Sequence, residues 1–183
     1  MIKYKILALY GKGGSGKDTI QKWIVSNYQG CHGIVSSTTR PPRDYEKEGI
    51  DYFFLNKENF NKDLMLEYTK FNDWYYGTSI QSLNSNKINV GVFNLAGIKS
   101  LQKNPCIDVL PIEIQAEGKI RLERMLQREE QPNCKEICRR YLADEEDFED
   151  FQSKIIYSNN KNEKYKTFSN LFSIPEVKKW LVS

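Results

Sequence analysis

Buried strands and amphipathic helices alternate along this chain. The apolar run Tyr4–Tyr10, interrupted only by Lys5, is typical of a strand that is covered on both faces. Apolar residues then recur at helical spacing over 18–28. Further buried strands are predicted at 33–36, 88–95, 107–115 and 154–157, and further helices at 97–103, 117–127, 135–146 and 175–182. This alternation indicates an α/β fold with a parallel sheet and right-handed crossovers.

The pattern changes between residues 39 and 74, where only short elements are predicted. These are an extended piece at 51–55, a small helix near 57–63 and a strand at 66–71. We therefore predict a small lobe inserted between the parallel strands. Residues 158–166 are polar and are predicted to form a loop. Ligands of such sheets bind beyond the carboxyl ends of the strands.

Composition narrows the class of protein. A chain of 183 residues, 39% of them hydrophobic, suits one domain, and no apolar run approaches the roughly 20 residues of a membrane span. No signal peptide is evident, so we expect a cytoplasmic protein with reduced thiols. The net charge of +3 is too small to argue for nucleic acid, and four cysteines with one histidine do not make a zinc site. The acidic run 144–147 is interpreted as a solvated helix face.

A glycine-rich loop follows the first strand and precedes the first helix. It has the pattern G-x-x-x-x-G-K and consists of Gly11, Lys12, Gly13, Gly14, Ser15, Gly16 and Lys17. Glycines let successive N–H groups point inward, where they and the helix N-terminus cradle phosphate oxygens. Lys17 then reaches the β- and γ-phosphates. The alternative is a plain glycine turn before a helix.

The residue after Lys17 departs from the common pattern, in which Ser or Thr holds Mg²⁺. Here it is Asp18, followed by Thr19. A carboxylate beside a triphosphate repels it unless a cation lies between them. Two interpretations stay open: Asp18 acts toward Mg²⁺, directly or through water, or it is an acidic first-turn residue favoured by the helix dipole.

Two arginines lie close together in the segment Ser36-Ser37-Thr38-Thr39-Arg40-Pro41-Pro42-Arg43. Arg40 and Arg43, stiffened by the two prolines between them, form a clamp whose guanidinium groups suit a phosphate. The chain continues with Gly49-Ile50-Asp51-Tyr52-Phe53-Phe54, then Glu67, then Tyr75-Tyr76-Gly77-Thr78.

With these motifs in this order, the sequence resembles the guanylate kinases, closely from Gly11 to Thr78 and more weakly to about Asn160. The resemblance implies a P-loop nucleoside monophosphate kinase fold, with a five-stranded parallel sheet flanked by helices. It divides a single domain into a core (1–36, 88–116 and 150–183), a nucleotide-binding lobe (37–87) and a helical lid (117–149).

The resemblance also implies roles for individual residues. ATP would be held by residues 11–17, Asp18 and Thr19, with Asn159 near the adenine, while the metal role of Asp18 stays one of the two interpretations given above. The phosphate of GMP would be held by Ser36, Arg40, Arg43, Tyr52 and Tyr76. Glu67 would accept from guanine N1–H and the 2-amino group, Thr78 would donate to O6, and Asn94 would accept from the 2-amino group. The catalytic residues would be Lys17, Arg40 and the lid arginines Arg124, Arg128 and Arg140.

Two departures weaken guanine selection and the Mg²⁺ shell: Val92 and Asn94 stand where the family has aspartates. They fit a divergent, phage-type member. The implied reaction is phosphoryl transfer from ATP, with Mg²⁺, to GMP or dGMP. The alternatives are a deoxynucleoside monophosphate kinase of relaxed specificity and a non-catalytic module that binds phosphorylated peptides. The expected partners are small nucleotides, with no nucleic acid and no membrane, and the chain is expected to be a monomer or homodimer.

Overall fold

The computed structural model describes residues 3–43, 46–71, 73–128, 130–160 and 168–182. The strands are β1 (Tyr4–Tyr10), β2 (Cys31–Gly33), β3 (Ser37–Thr38), β4 (Phe53–Phe54), β5 (Met65–Phe71), β6 (Trp74–Ser79), β7 (Ile88–Val92), β8 (Ile107–Gln115) and β9 (Ile156–Ser158). The α-helices are α1 (Lys17–Asn27), α2 (Leu95–Lys103), α3 (Gly118–Leu126), α4 (Cys134–Asp147) and α5 (Pro175–Leu181). Within the described ranges, no helix is long and apolar enough to cross a membrane.

The main sheet has five parallel strands in the order β2-β7-β1-β8-β9. Side chains of β1 alternate between its two faces, as the period of a strand requires. Leu7 and Leu9 pack with α1 and the C-terminal segment, whereas Ile6 and Ala8 pack with α2. The predicted α/β class with a five-stranded parallel sheet is confirmed, and both ends of β1 are as predicted.

A second, four-stranded sheet has the order β4-β3-β6-β5. Strands β3 and β5 run antiparallel to β6, and β3 runs parallel to β4. The chain leaves the main sheet after β2 and enters the second sheet at β3, so the single strand predicted at 33–36 is wrong. The register of β3 is set by β6, about 40 residues further along, which local periodicity does not encode.

Other elements also differ from the predictions. The small helix predicted near 57–63 is two 3-10 turns, at 57–59 and 62–64, because its single apolar residue, Phe60, supplies no apolar face along a helix. Strand β6 was not predicted as a strand, since its residues were considered only as a motif. The polar loop predicted at 158–166 begins with the last residue of β9, and its part from 161 onward lies outside the described residues.

The fold predicts a contrast between two helical leucines. Leu101 in α2 is fully buried, whereas Leu142 in α4 is 61% exposed. Leu101→Ala should lower the free energy of unfolding by about 2–5 kcal/mol, because it removes apolar contacts and leaves a cavity. Leu142→Ala, the matched control, should change it by about 0.5 kcal/mol or less. Urea unfolding of both variants measures the difference, and equal losses would contradict this packing.

Candidate functional site

The loop between β1 and α1 is tightly curled. Gly11, Gly14 and Gly16 have φ values of 140°, 76° and 93°, which residues other than glycine rarely adopt. A Cβ at Gly14 would lie 2.4 Å from the carbonyl oxygen of Arg121, and one at Gly16 would lie 2.4 Å from Nδ2 of Asn159. The glycines are therefore required both by conformation and by the close approach of α3 and of the residue after β9.

Lys17 closes the loop from the first turn of α1. Its ammonium group donates to the carbonyl oxygens of Gly11, at 2.8 Å, and Lys12, at 3.1 Å. Burial lowers the pKa of Lys17, and the carboxylates of Asp18 and Asp144 oppose this effect. The ammonium thus lies in a weakly solvated position where an anion would stabilise its charge.

Asp18 and Thr19 are exposed in the first turn of α1. The influence of Asp18 extends toward the second sheet. Burial raises the pKa of Tyr52 to about 12. The negative charge of Asp18 adds to this increase, and the positive charge of Arg40 opposes it. A side chain between the loop and the second sheet suits a cation shared by two phosphates, but a first-turn carboxylate is also what the helix dipole favours. Both interpretations of Asp18 remain predictions.

The structure places one of the three predicted lid arginines, Arg124, in contact with the loop. Arg124 donates to the carbonyl oxygens of Gly14, at 3.2 Å, and Asn159, at 3.0 Å. The charge of Arg128 contributes to the lowered pKa of Lys17. Arg140 instead pairs with Glu136 one turn earlier on α4, with Nε and Oε1 2.8 Å apart.

Asn159 is buried directly behind the loop. Its Nδ2 donates to the carbonyl oxygen of Ser15 at 2.6 Å. The amide therefore braces the loop in this structure, and its predicted place beside adenine stays a prediction.

The arginine clamp encloses a carboxylate that the sequence analysis missed. Both oxygens of Glu46 accept from Nη2 of Arg40 at 2.8 Å. Oε2 of Glu46 also accepts from the backbone N–H of Arg43 at 2.8 Å, and Oε1 of Glu46 lies 3.5 Å from Nη1 of Arg43. The side chain of Glu46 is only 5% exposed. A glutamate three residues after Arg43 was the available signal, but nothing in its spacing showed that it would fold back between the arginines.

Tyrosines and hydroxyl groups border this clamp. The guanidinium of Arg40 lies 5.7 Å from the ring centre of Tyr52, which in turn packs edge-on against Tyr76. The hydroxyl oxygens of Ser36 and Thr78 are 3.2 Å apart. The structure thus brings the five residues predicted to bind one phosphate, and Thr78, into one region of the second sheet.

Glu67 lies opposite Thr78 across β5 and β6. Burial raises the pKa of Glu67, and hydrogen bonds from the hydroxyl and the backbone of Thr78 partly oppose it. Its Oε2 would be 3.0 Å from a Cβ at Gly97, at the start of α2. Asn94 lies there too, but its side-chain oxygen accepts from the Gly97 N–H at 2.7 Å and caps α2.

A second cluster that sequence reasoning missed joins α3 and α4 to the loop. Arg121, 3% exposed, donates to the carbonyl oxygen of Gly13 at 3.0 Å and pairs with Glu145 at 2.7 Å. Its guanidinium lies 4.6 Å from the ring centre of Tyr141. Glu145 also pairs with Lys12, and Asp144 accepts from the N–H of Gly13 at 2.6 Å.

The interpretation of residues 144–147 as a solvated face is therefore wrong for its first half. Glu146 and Asp147 are exposed, as that interpretation requires, but Asp144 and Glu145 face the loop. The reason is that α4 packs on α3 along this side, where Lys12 and Arg121 supply positive charge. Charge spacing within α4 alone could not reveal partners on other elements.

A cavity of about 400 Å³ opens beside the loop and this cluster. Its lining includes Lys12, Gln115, Glu117, Arg121, Tyr141 and Ser158. It lies at the carboxyl end of β8, the side of a parallel sheet on which ligands bind.

Comparison with known proteins gives one consistent result. The family model described as guanylate kinase matches residues 3–174. The guanylate kinase of Malacoplasma penetrans (strain HF-2) is 32% identical over 166 residues, which cover 84% of this chain and 76% of that protein. The guanylate kinase of Latilactobacillus sakei subsp. sakei (strain 23K) is 39% identical over 84 residues, which cover 43% of this chain and 41% of that protein.

Among solved structures, the crystal structure of guanylate kinase from Anaplasma phagocytophilum matches with a TM-score of 0.56 and 17% identity, over 88% of this chain and 79% of that chain. At this identity the likeness concerns the fold alone, and it agrees with the predicted fold. The match to the guanylate kinase of Campylobacter jejuni (strain RM1221) is 32% identical and covers 66% of this chain and 63% of that protein. The chain thus spans less than two thirds of the Latilactobacillus and Campylobacter relatives.

The half-buried side chain of Glu67 predicts a pH-dependent stability. Its pKa is raised in the folded state, so folding favours the protonated carboxyl. The contribution of this carboxyl to folding stability is therefore fully present below its pKa in the unfolded chain, and it is lost as the pH rises through its pKa in the folded chain. Glu67→Gln, a neutral isostere, should therefore raise the melting temperature at about pH 7 and change it little at about pH 4.

Glu58 is exposed and serves as the matched control. Glu58→Gln should leave the melting temperature nearly unchanged at both pH values. Thermal denaturation of the two variants measures the effect, and a lower melting temperature for Glu67→Gln at neutral pH would contradict the assignment.

Proposed function

The chain belongs to the guanylate kinase family, and we propose that it transfers the γ-phosphoryl group of ATP to GMP or dGMP, giving ADP and GDP or dGDP. One observation carries the proposal. Two separate sets of anion-binding groups, the glycine loop and the pair Arg40 and Arg43, each hold a carboxylate of the chain itself. A kinase of this kind needs two such sites, one for each nucleotide.

We assign the donor nucleotide to the glycine loop. The N–H of Gly13 and the ammonium of Lys17 would bind the phosphates of ATP, and Arg124 and Arg128 would approach them from the lid. Asn159, buried behind the loop, would keep the loop in its curled form. The adjoining cavity of about 400 Å³ has room for a nucleoside.

The acceptor phosphate is assigned to the clamp. A phosphate dianion offers Arg40 and Arg43 more charge and more acceptor oxygens than the one carboxylate of Glu46 that they hold here. Ser36, Tyr52 and Tyr76 border the same region and would donate hydroxyl groups.

The base would be read by Glu67 and Thr78. A carboxylate accepts from N1–H and the 2-amino group of guanine together, which adenine cannot offer. A buried polar site of this kind rejects the wrong base because the mismatch leaves its groups unpaired. Asn94 adds a neutral acceptor in place of a charged one, although the same oxygen caps α2.

Catalysis would consist of positioning and charge neutralisation. The acceptor phosphate is already anionic, so no side chain needs to act as a strong base. Lid residues 117–149 would close on the core and exclude water, so that ATP is not hydrolysed. Mg²⁺ would neutralise charge on the phosphates, and the exposed carboxylate of Asp18, beside Lys17, is an oxygen ligand of the type that Mg²⁺ prefers.

An acceptor panel tests the proposal. The protein is incubated with ATP, Mg²⁺ and one of GMP, dGMP, dTMP, AMP or CMP, and release of ADP is followed. Turnover with GMP and dGMP alone is expected. Equal rates with dTMP would favour a relaxed deoxynucleotide kinase, and no turnover with any acceptor would favour a module that only binds.

Lys17→Ala is the variant that ties turnover to the loop. It should lower kcat/KM by about 10³-fold or more, because it removes a positive charge at the transferring phosphate. Lys99→Ala, on the exposed side of α2, is the control and should retain the parent rate. A normal rate for Lys17→Ala, with an unchanged circular dichroism spectrum, would contradict the phosphate assignment.

A further inference from the structure

Two neighbouring carboxylates of α4 lie on the glycine loop. Oδ2 of Asp144 accepts from the backbone N–H of Gly13 at 2.6 Å. The contact is so close that a Cβ at Gly13 would lie 2.9 Å from the same oxygen. A charge-assisted bond from a loop N–H to an anionic oxygen is also the bond that such loops make to phosphate.

Glu145 takes up the positive charge beside that bond. One of its oxygens pairs with Nη1 of Arg121 at 2.7 Å and the other with the ammonium of Lys12. Burial alone would raise the pKa of Glu145, but Lys12 and Arg121 together lower it, so the carboxylate is held in its charged form.

Arg121 has hydrogen-bonding capacity left over. Its Nε donates to the carbonyl oxygen of Gly13, yet its buried Nη2 has no hydrogen-bond partner within the described part of the chain. A buried guanidinium donor without an acceptor is costly. A ligand richer in acceptor oxygens than one carboxylate would satisfy this group better.

We propose that Asp144 and Glu145 form a carboxylate latch that closes α4 over the loop and competes with the phosphates of the donor nucleotide. The proposal rests on the proposed function, because it takes ATP as the ligand of the loop. The Gly13 N–H has one proton, which it can donate to Asp144 or to a phosphate oxygen but not fully to both, and a phosphate that draws Lys12 toward it would take that cation away from Glu145. Binding of the triphosphate would therefore expel both side chains and move this part of α4.

The latch makes a prediction opposite to that for a residue that helps to bind ATP: removing it should tighten binding. Isothermal titration with ATP and Mg²⁺ is carried out on the parent chain, on Asp144→Asn, and on Asp144→Asn combined with Glu145→Gln. The double variant should bind ATP about tenfold more tightly than the parent, because it no longer has to break charge-assisted bonds first. The single variant should show a smaller gain in the same direction.

Helix α4 supplies a matched control. Glu146 and Asp147 are exposed neighbours of the latch, and Glu146→Gln combined with Asp147→Asn changes the net charge by the same amount. If long-range repulsion of ATP were the cause, this control would gain as much affinity as the latch variant. The latch requires the control to stay within about twofold of the parent.

Each outcome decides the proposal. Tighter binding confined to the Asp144 and Glu145 variants supports it. Unchanged affinity in these variants, with normal binding by the parent, would overturn the latch and leave the proposed function intact. Weaker binding would overturn it by placing Asp144 among the groups that hold ATP and its metal. Absence of binding in the parent and all variants would overturn the latch and the proposed function together.

A second measurement covers the case in which the double variant is unstable because Arg121 loses its partner. Hydrogen exchange of the parent is followed with and without inorganic triphosphate, which lacks a base. The latch predicts faster exchange in the last two turns of α4 when triphosphate is added, since the tether to Gly13 is released. Slower or unchanged exchange there would overturn it.

Discussion

Positive charge and N–H groups gathered around a curled backbone determine how this site is built. The loop from Gly11 to Lys17 directs donors to one place, and burial there makes an uncompensated charge costly. In this structure carboxylates of the chain supply the negative charge. Asp144 and Glu145 do so at the loop, and Glu46 does so between Arg40 and Arg43. Carboxylates of the chain thus contact both groups of donors that we propose for phosphates.

The fold provides the setting for these two sites. The main sheet presents the loop at the carboxyl end of β1, and the second sheet carries the clamp and Glu67. Burial raises the pKa of Glu67 and lowers that of Lys17, so both groups lie where their charged forms are poorly solvated. Such positions reduce stability but favour a ligand that supplies the missing partner, which is an anion for Lys17 and a pair of N–H donors for Glu67. The same residues therefore connect the energetics of the fold with the chemistry proposed for it.

Much of this arrangement could be predicted from the sequence, and the remainder has a common cause. The apolar pattern of β1, the glycines of the loop and the order of motifs through Thr78 predicted the main sheet, the curled loop between β1 and α1, and the family. Strand β3, the return of Glu46 and the contact of Asp144 with Gly13 could not be predicted, because each depends on a partner far along the chain or on a turn that local patterns do not encode. Burial of Arg121 likewise becomes evident only when α3 and α4 pack against the loop.

The phosphates of the two proposed nucleotides should meet between the glycine loop and the arginine clamp. A crystal structure with adenosine and guanosine joined through a chain of five phosphates tests it most directly. The account predicts phosphate oxygens on the Gly13 N–H and Lys17 at one end, and between Arg40 and Arg43 at the other. Phosphates that leave either site empty, or a ligand bound elsewhere on the molecule, would contradict it.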